Sequence, residues 1–247
     1  MGLLDLFKST KKAEPLCLKW MEVDMHSHLI PGIDDGSQSL KESIALIKRL
    51  ESYGLRKLIT TPHVMTEFYK NTPEIISEGL TRLHEGLDKE GVKMDVEAAA
   101  EYYLDEVFVE KLEKDEPLLT FGDNYILVET GFMNKPRMLQ ETFFALETKG
   151  YKPILAHPER YLYLHQDPDM LESLIEKSVT FQVNLLSFTG YYSKPVKVLA
   201  EKLLERRLVR FVGTDCHNNR YLDSLESITA SKSYQKLKES KFMNSLL

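Results

Sequence analysis

Short apolar runs alternate with longer amphipathic stretches along this 247-residue chain, and that alternation restricts the fold more than any other feature of the sequence. Seven runs read as strands, at 21–26, 57–63, 92–103, 124–131, 152–160, 179–187 and 208–217. Helix-like segments lie between them at 39–53, 73–90, 104–114, 136–149, 168–177 and 195–207. The first of these has Ser39 as its N-cap, Glu42 three residues on, Leu40, Ile44, Ile47 and Leu50 on one stripe, and Gly54 as its stop. The second starts at Thr72-Pro73 and the fourth at Pro136, and proline is tolerated in the first turn of a helix. From about residue 222 the chain is rich in serine and lysine, with helical stretches. No repeat, low-complexity tract or linker divides it. Strands separated by helices in this way build a parallel sheet or barrel, here as a single α/β domain.

Chemically useful side chains sit at or just past the ends of those strands. Val23-Asp24-Met25-His26-Ser27-His28 ends the first, and in extended backbone His26 and His28 share a face. Asp35 follows, with Asp34 beside it as the alternative donor. His63, Glu101, Glu129, His157, Asp215 and His217 end the later strands. A closed parallel barrel keeps its working residues on one rim, at the carboxyl ends of its strands. Placement and topology therefore agree.

Imidazoles and carboxylates without thiolate suit Mn²⁺, Fe²⁺ or Zn²⁺ in a catalytic site. His26, His28, Asp35, His63, Glu101, Glu129, His157, Asp215 and His217 are more than one ion can use, so two or three ions are expected. Ions ~3.5–4 Å apart can hold a bridging hydroxide for in-line displacement at phosphorus. Arg160, three residues after His157, reaches the same rim and can grip a phosphate in a bidentate fork, unless it pairs with Glu159 or another surface carboxylate instead. Arg220 in the last loop is a second candidate for phosphate. Several aromatic residues, among them Phe68, Tyr69, Tyr191 and Tyr192, follow strand ends and could wall a pocket for an aromatic phosphoester. Cys216, between Asp215 and His217, points away from its neighbours in extended backbone and reads as packing.

Composition narrows the class further. A net charge of −6 disfavours broad binding to a nucleic-acid backbone. Two cysteines, Cys17 and Cys216, form neither a disulfide framework nor a CxxC pair, which suits a reducing cytoplasm. No apolar run approaches the ~20 residues of a membrane span. The start, with Asp5 inside its apolar stretch, does not resemble a signal peptide, and residues 1–19 are expected to form a leader ahead of a domain over 20–247. There is no GxSxG, no glycine-rich phosphate loop, no GxGxxG after the first strand and no Cys-x5-Arg, so a covalent cysteine mechanism is not expected.

HSHLIPGIDDGS, TTPH, AEYY, LVETG, AHPER and TDCHNNR, in this order over residues 21 to about 220, resemble the PHP (polymerase and histidinol phosphatase) superfamily. Within it they are most similar to the bacterial protein-tyrosine phosphatases of the capsular-polysaccharide type. The resemblance implies a distorted (β/α)7 barrel holding three ions, usually Mn²⁺, with Fe²⁺ or Zn²⁺ as alternatives. Carried over by position, His26, His28, Glu101 and Asp215 would bind one ion. Glu129 and His157, sharing Glu101, would bind the second, and Asp35, His63 and His217 the third. Arg160 would hold phosphate, with Arg220 at a slightly shorter spacing than relatives show, and His63 or His217 would assist proton transfer through bound water. The implied substrate is the phosphotyrosine tail of a membrane tyrosine kinase of capsular or exopolysaccharide synthesis. That places the protein in the cytoplasm, or peripherally at the inner membrane face. An EExxR helix motif, which some relatives use to form rings, is absent, so the oligomeric state stays open. Two other readings of the same residues are a small-molecule phosphatase of the histidinol-phosphate type and a catalytically silent metal-binding scaffold. The scaffold would have lost a ligand, and none of the nine is lost.

Overall fold

A computed structural model describes residues 14–247. Most of the expected leader lies outside the described residues. Within its described part, Leu16 and Leu18 are buried in the core, and the Leu18 N–H donates to the Tyr53 carbonyl.

Among the described residues, nine strands occur in chain order: β1 (Val23–Asp24), β2 (Lys57–Thr60), β3 (His63–Val64), β4 (Asp95–Ala98), β5 (Glu101–Tyr103), β6 (Tyr125–Glu129), β7 (Lys152–Leu155), β8 (Thr180–Asn184) and β9 (Val209–Gly213). All pairings between them are parallel, within one sheet ordered β1-β2-β4 and another ordered β3-β5-β6-β7-β8-β9. Two of the expected strands are each split between the sheets. β2 runs into β3 through Pro62, which has no N–H to give a ladder. β4 runs into β5 through Ala99-Ala100, and the bonds Ala99 N–H to Thr60 O and Glu101 N–H to Pro62 O carry the pairing across the break. Past the ends of β9 and β1, Asp215 N–H donates to His26 O and His28 N–H to Cys216 O. These bonds bring the last strand against the first, and the seven strand lines form a distorted barrel.

The helices on the outside follow the expected order, with α1 at Leu40–Ser52, α2 at Pro73–Lys89, α3 at Glu106–Glu113, α4 at Leu139–Thr148, α5 at Leu162–Gln166, α6 at Pro168–Glu176, α7 at Lys194–Glu205, α8 at Asn219–Leu225 and α9 at Lys232–Glu239. Ser39 and Thr72 cap α1 and α2 through their side chains, as the sequence predicts. Pro136 does not open α4: it lies ahead of the helix, in irregular backbone, and Met138 at the N-cap offers no capping oxygen. α5 is not announced by the sequence, because Tyr161–Gln166 carries no cap or breaker to mark a five-residue helix.

Alternation along the strands sorts the core. Ile59, Ala99, Leu127, Ile154 and Phe211 pack together inside the barrel, with Val23, Met25 and Ala156. Their neighbours Leu58, Ala100, Val128, Leu155 and Val212 belong to the layer between the strands and the helices. Moving two residues at a time toward the carboxyl ends on the inward phase leads from Ala99 to Glu101, from Leu127 to Glu129 and from Phe211 to Asp215. The barrel interior is thus apolar in its lower part and ionisable at the top. At the lower end Asn244 closes the structure, donating to the carbonyls of Val23 and Val212 and accepting from the Val212 N–H.

Candidate metal centre

The residues expected at the strand ends converge. Four donor atoms meet at the top of β1, β5 and β9. His26 Nε2 stands 3.4 Å from His28 Nε2, 3.2 Å from Glu101 Oε2 and 3.4 Å from Asp215 Oδ1. His28 Nε2 is 3.5 Å from Glu101 Oε2 and 3.4 Å from Asp215 Oδ1. Donors held ~2.1 Å from a tetrahedral ion are ~3.4 Å apart, so these spacings are those of a coordination shell.

A second group lies beside the first. His63 Nδ1 is 2.9 Å from Glu129 Oε1 and 3.2 Å from Glu101 Oε2. All three atoms are buried, close enough together to share an ion, and none makes a hydrogen bond. Buried polar atoms are rarely left in that state without an ion or water between them. His157 Nε2 bonds Glu101 Oε1 at 3.0 Å and lies 3.9 Å from Glu129 Oε2. On the outer side, Asp35 Oδ1 is 3.4 Å from His63 Nε2 and 3.5 Å from His217 Nε2. His63 therefore faces both groups, one with each ring nitrogen, whereas the resemblance implies the third group alone.

Asp34 and Asp35 separate cleanly. Asp34 is buried and turns away from the donor cluster: Oδ2 bonds His28 Nδ1 at 2.8 Å and accepts the His63 N–H, while Oδ1 accepts the Gly36 N–H. It orients His28, whereas Asp35 faces the cluster. Gly36 is required there, since a Cβ would lie 2.3 Å from the His28 carbonyl oxygen.

Backbone strain aims two of the donors. Along β7, Ile154 and Ala156 face inward and Leu155 outward, so simple alternation would send His157 outward too. Its φ of 32° puts it in the left-handed region and turns the ring into the site. Asp215 has φ 51°, while Cys216 stays on the outward phase, fully buried among apolar side chains. Gly213 below it lets β1 approach, because a Cβ would fall 2.6 Å from that of His26. Asp24, next to the HxH, is not in the cluster: its carboxylate accepts the N–H and hydroxyl of Thr214 and ties β1 to β9. Burial raises its pKa to about 6 against those bonds.

The charge balance of the site favours imidazolium over imidazole. Burial alone would raise the Glu101 and Asp215 carboxyls, yet His26 next to both holds each well below the usual range. Burial and neighbouring His28 work against a charge on His63, and Glu101, Glu129 and Asp35 overcome them, raising its pKa to about 10. His28 is likewise raised against burial, chiefly by Asp34.

Arg160 does not pair with Glu159. Glu159 is buried and accepts from Ser187 Oγ and the Asn184 N–H, while Arg160 Nη1 bonds Asp215 Oδ2 at 3.0 Å. The guanidinium lies between the rings of Phe132 and Tyr192, 4.6 and 4.3 Å from their centroids. Arg220 is exposed in the first turn of α8, and its side chain makes no ion pair among the described residues. Tyr69 stacks on His63, Phe132 on His157, and Tyr221 lies against His217, so aromatic rings rim the opening.

Gln182 and Asn184, both buried on β8, bond residues of this site and are missed by the motifs. Asp215 Oδ2, an acceptor only, requires the amide nitrogen of Asn184, which stands 2.6 Å away. Asn184 Oδ1 then accepts from Gln182 Nε2 at 2.9 Å. That leaves Gln182 Oε1 facing His26 Nδ1 at 2.9 Å, so Nδ1 keeps its proton and Nε2 is the nitrogen that would be freed to ligate an ion. Their signal in the sequence is two amides on the inward phase of an otherwise apolar TFQVN. Gln182→Leu should weaken metal binding by about tenfold to a hundredfold, read by chelator competition with Zn²⁺. An unchanged affinity in a folded variant would contradict the chain of bonds.

Comparison with known proteins agrees with this geometry. Residues 22–242 match the family described as capsular polysaccharide synthesis, CpsB/CapC. The tyrosine-protein phosphatase YwqE of Bacillus subtilis is 33% identical over 196 residues, covering 79% of this chain and 77% of YwqE. The tyrosine-protein phosphatase CpsB of Streptococcus pneumoniae is 29% identical over 201 residues, covering 79% and 83%. A crystallographic study of YwqE and CpsB, described there as unique metal-dependent tyrosine phosphatases, provides a structure that superposes with a TM-score of 0.77 at 32% identity, over 88% of this chain and 87% of that one. A histidinol phosphate phosphatase from Lactococcus lactis shares the fold, with a TM-score of 0.54 at 14% identity over 90% and 94% of the two chains. By sequence and by fold, this chain belongs to the CpsB/CapC family.

Proposed function

We propose that this chain is a metal-dependent protein-tyrosine phosphatase. One observation carries the reading: His26 Nε2 and His28 Nε2, 3.4 Å apart, each face a carboxylate oxygen of Glu101 and one of Asp215 at 3.2 to 3.5 Å, directly beside a positioned arginine. His26, His28, Glu101 and Asp215 would hold one ion, Glu101, Glu129, His63 and His157 a second, and Asp35, His63 and His217 a third, with Mn²⁺ the expected metal. When bound, such ions supply Lewis acidity that activates water and offsets charge at phosphorus. Arg160, stacked between Phe132 and Tyr192, offers its remaining N–H donors to phosphate oxygens. In-line attack by water at phosphorus breaks the bond to the phenolic oxygen and gives inorganic phosphate and tyrosine. A phenol has a pKa near ~10, so the leaving group needs little protonation, and His217 or His63 would assist only through bound water. The rim of aromatic rings suits an aryl phosphate.

The relatives' names say tyrosine-protein phosphatase and the family description says capsular polysaccharide synthesis; the substrate proposed from them is the tyrosine-phosphorylated tail of a membrane kinase of capsular or exopolysaccharide synthesis. None of the helices among the described residues is long and apolar enough to cross a membrane, and a peripheral position on the cytoplasmic side fits such a substrate. Phosphate release from phosphotyrosine peptide, phosphoserine peptide and histidinol phosphate, with Mn²⁺ and with chelator, tests the reading. Chelator-sensitive release is expected from phosphotyrosine. Faster release from histidinol phosphate would replace the substrate, and no release from any of them would overturn the enzyme.

A further inference from the structure

A cleft of about 240 Å³ opens beside the site, between the loop after β3 and helix α3. Tyr69 is its shared wall. One face of that ring stacks on His63 at 5.4 Å, and the same residue lines the cleft. The floor is apolar, made by the buried rings of Tyr102 and Phe108. Val107, 38% exposed, stands at the edge, and Phe68, 72% exposed, projects from the loop tip next to it. The loop is braced rather than loose: Met65 and Tyr69 exchange both backbone bonds.

The charges at the cleft are unequal in their commitments. Asp105 is fully used, with Oδ1 accepting the Phe108 N–H at 2.8 Å and Oδ2 the Thr66 N–H at 3.2 Å. Lys70 and Lys111 also line the cleft; among the described residues neither has a carboxylate at ion-pair distance, and Lys111 acts on Glu74 only at longer range. Over the apolar floor these two ammonium groups outnumber the one carboxylate of the cleft, Asp105, and select a partner that brings an apolar side chain and a carboxylate together. An extended peptide advances ~3.3 Å per residue, so two or three residues beyond a phosphotyrosine bound at the site reach past Tyr69.

We propose that this cleft is a subsite for the substrate's own chain, taking an apolar side chain next to an acidic residue within about three positions of the phosphotyrosine. The proposal rests on the phosphatase reading and adds sequence selectivity to it. The catalytic centre recognises the aryl phosphate, and the cleft recognises what flanks it.

The test is steady-state kinetics of the metal-loaded full chain on three substrates. They are a phosphotyrosine peptide with leucine and glutamate at the flanking positions, the same peptide with glycine and serine there, and p-nitrophenyl phosphate. The first peptide should exceed the second by about tenfold in kcat/KM, mainly through KM. Val107→Asp and Lys111→Glu should each erase most of that preference while leaving p-nitrophenyl phosphate unchanged. Lys111→Glu should also come to favour a peptide with lysine in place of glutamate. No preference in the wild type, or equal losses on peptide and p-nitrophenyl phosphate in the variants, would overturn the subsite. A wild type that cleaves p-nitrophenyl phosphate but neither peptide would overturn the protein-substrate reading, and the subsite with it.

Discussion

Glu101→Gln should lower phosphotyrosine turnover by at least ~10³-fold, the rate equivalent of several kcal/mol of lost charge stabilisation, in a chain that still folds. Glu101 is the hub of the site. Its Oε2 lies 3.2 Å from both His26 Nε2 and His63 Nδ1, and its Oε1 bonds His157 at 3.0 Å. With His28 Nε2 at 3.5 Å from Oε2, donors from four histidines thus converge on one carboxylate. An amide at this position removes the negative charge and turns N–H groups toward atoms that need an acceptor or an ion. Metal content by elemental analysis should fall along with rate. A Glu101→Gln variant that keeps both near wild type would show that Glu101 is not shared between ions.

The second large effect is a reversal in how pH acts on stability. His63 has a folded pKa of about 10, above its ordinary 6.5. A raised folded pKa contributes stability that is fully present below the unfolded value and fades as pH rises through the folded one. The metal-free chain should therefore lose stability between pH ~6.5 and ~10, as imidazolium–carboxylate pairs in the cluster are discharged. Glu101 and Asp215, whose pKa values are depressed, are ionised in both states across that window and add no slope. Metal binding needs the same imidazoles neutral and releases their protons, so affinity should strengthen by about tenfold per pH unit for each proton released. Thermal unfolding with chelator should thus fall from pH ~6.5 to ~9.5, while the added stabilisation by Mn²⁺ grows. Equal and parallel trends with and without metal would contradict the exchange of protons for ions.

Much of this site is readable before any coordinates. HxH places two imidazoles on one face wherever the backbone is extended, and residues two apart on inward-facing strands must share a side, which is why Glu101, Glu129 and Asp215 arrive together at one rim. The barrel follows from the alternation of strand and helix, and the caps of α1 and α2 from their own residues. What stays hidden depends on contacts distant in sequence. No local pattern says that Gln182 and Asn184 pass the polarity of Asp215 to His26, or that Asp34 rather than Asp35 holds His28. The left-handed turns at His157 and Asp215 are imposed by the assembled barrel, since neither residue prefers that conformation strongly enough to reveal it. The split at Pro62 is visible as a missing donor, but its effect on sheet pairing requires the neighbouring strand. Arg160 falls on the expected rim, and its partner is found only once Asp215 stands opposite.

Anomalous diffraction at the manganese edge, from crystals grown with Mn²⁺, bears on the metal centre most directly. Peaks are expected within bonding distance of His26 Nε2, His28 Nε2, Glu101 and Asp215, with further peaks beside Glu129 and beside Asp35, the first two weakened or lost when Glu101 is replaced by glutamine. Peaks elsewhere on the protein, with none among these donors, would contradict a metal centre at this rim.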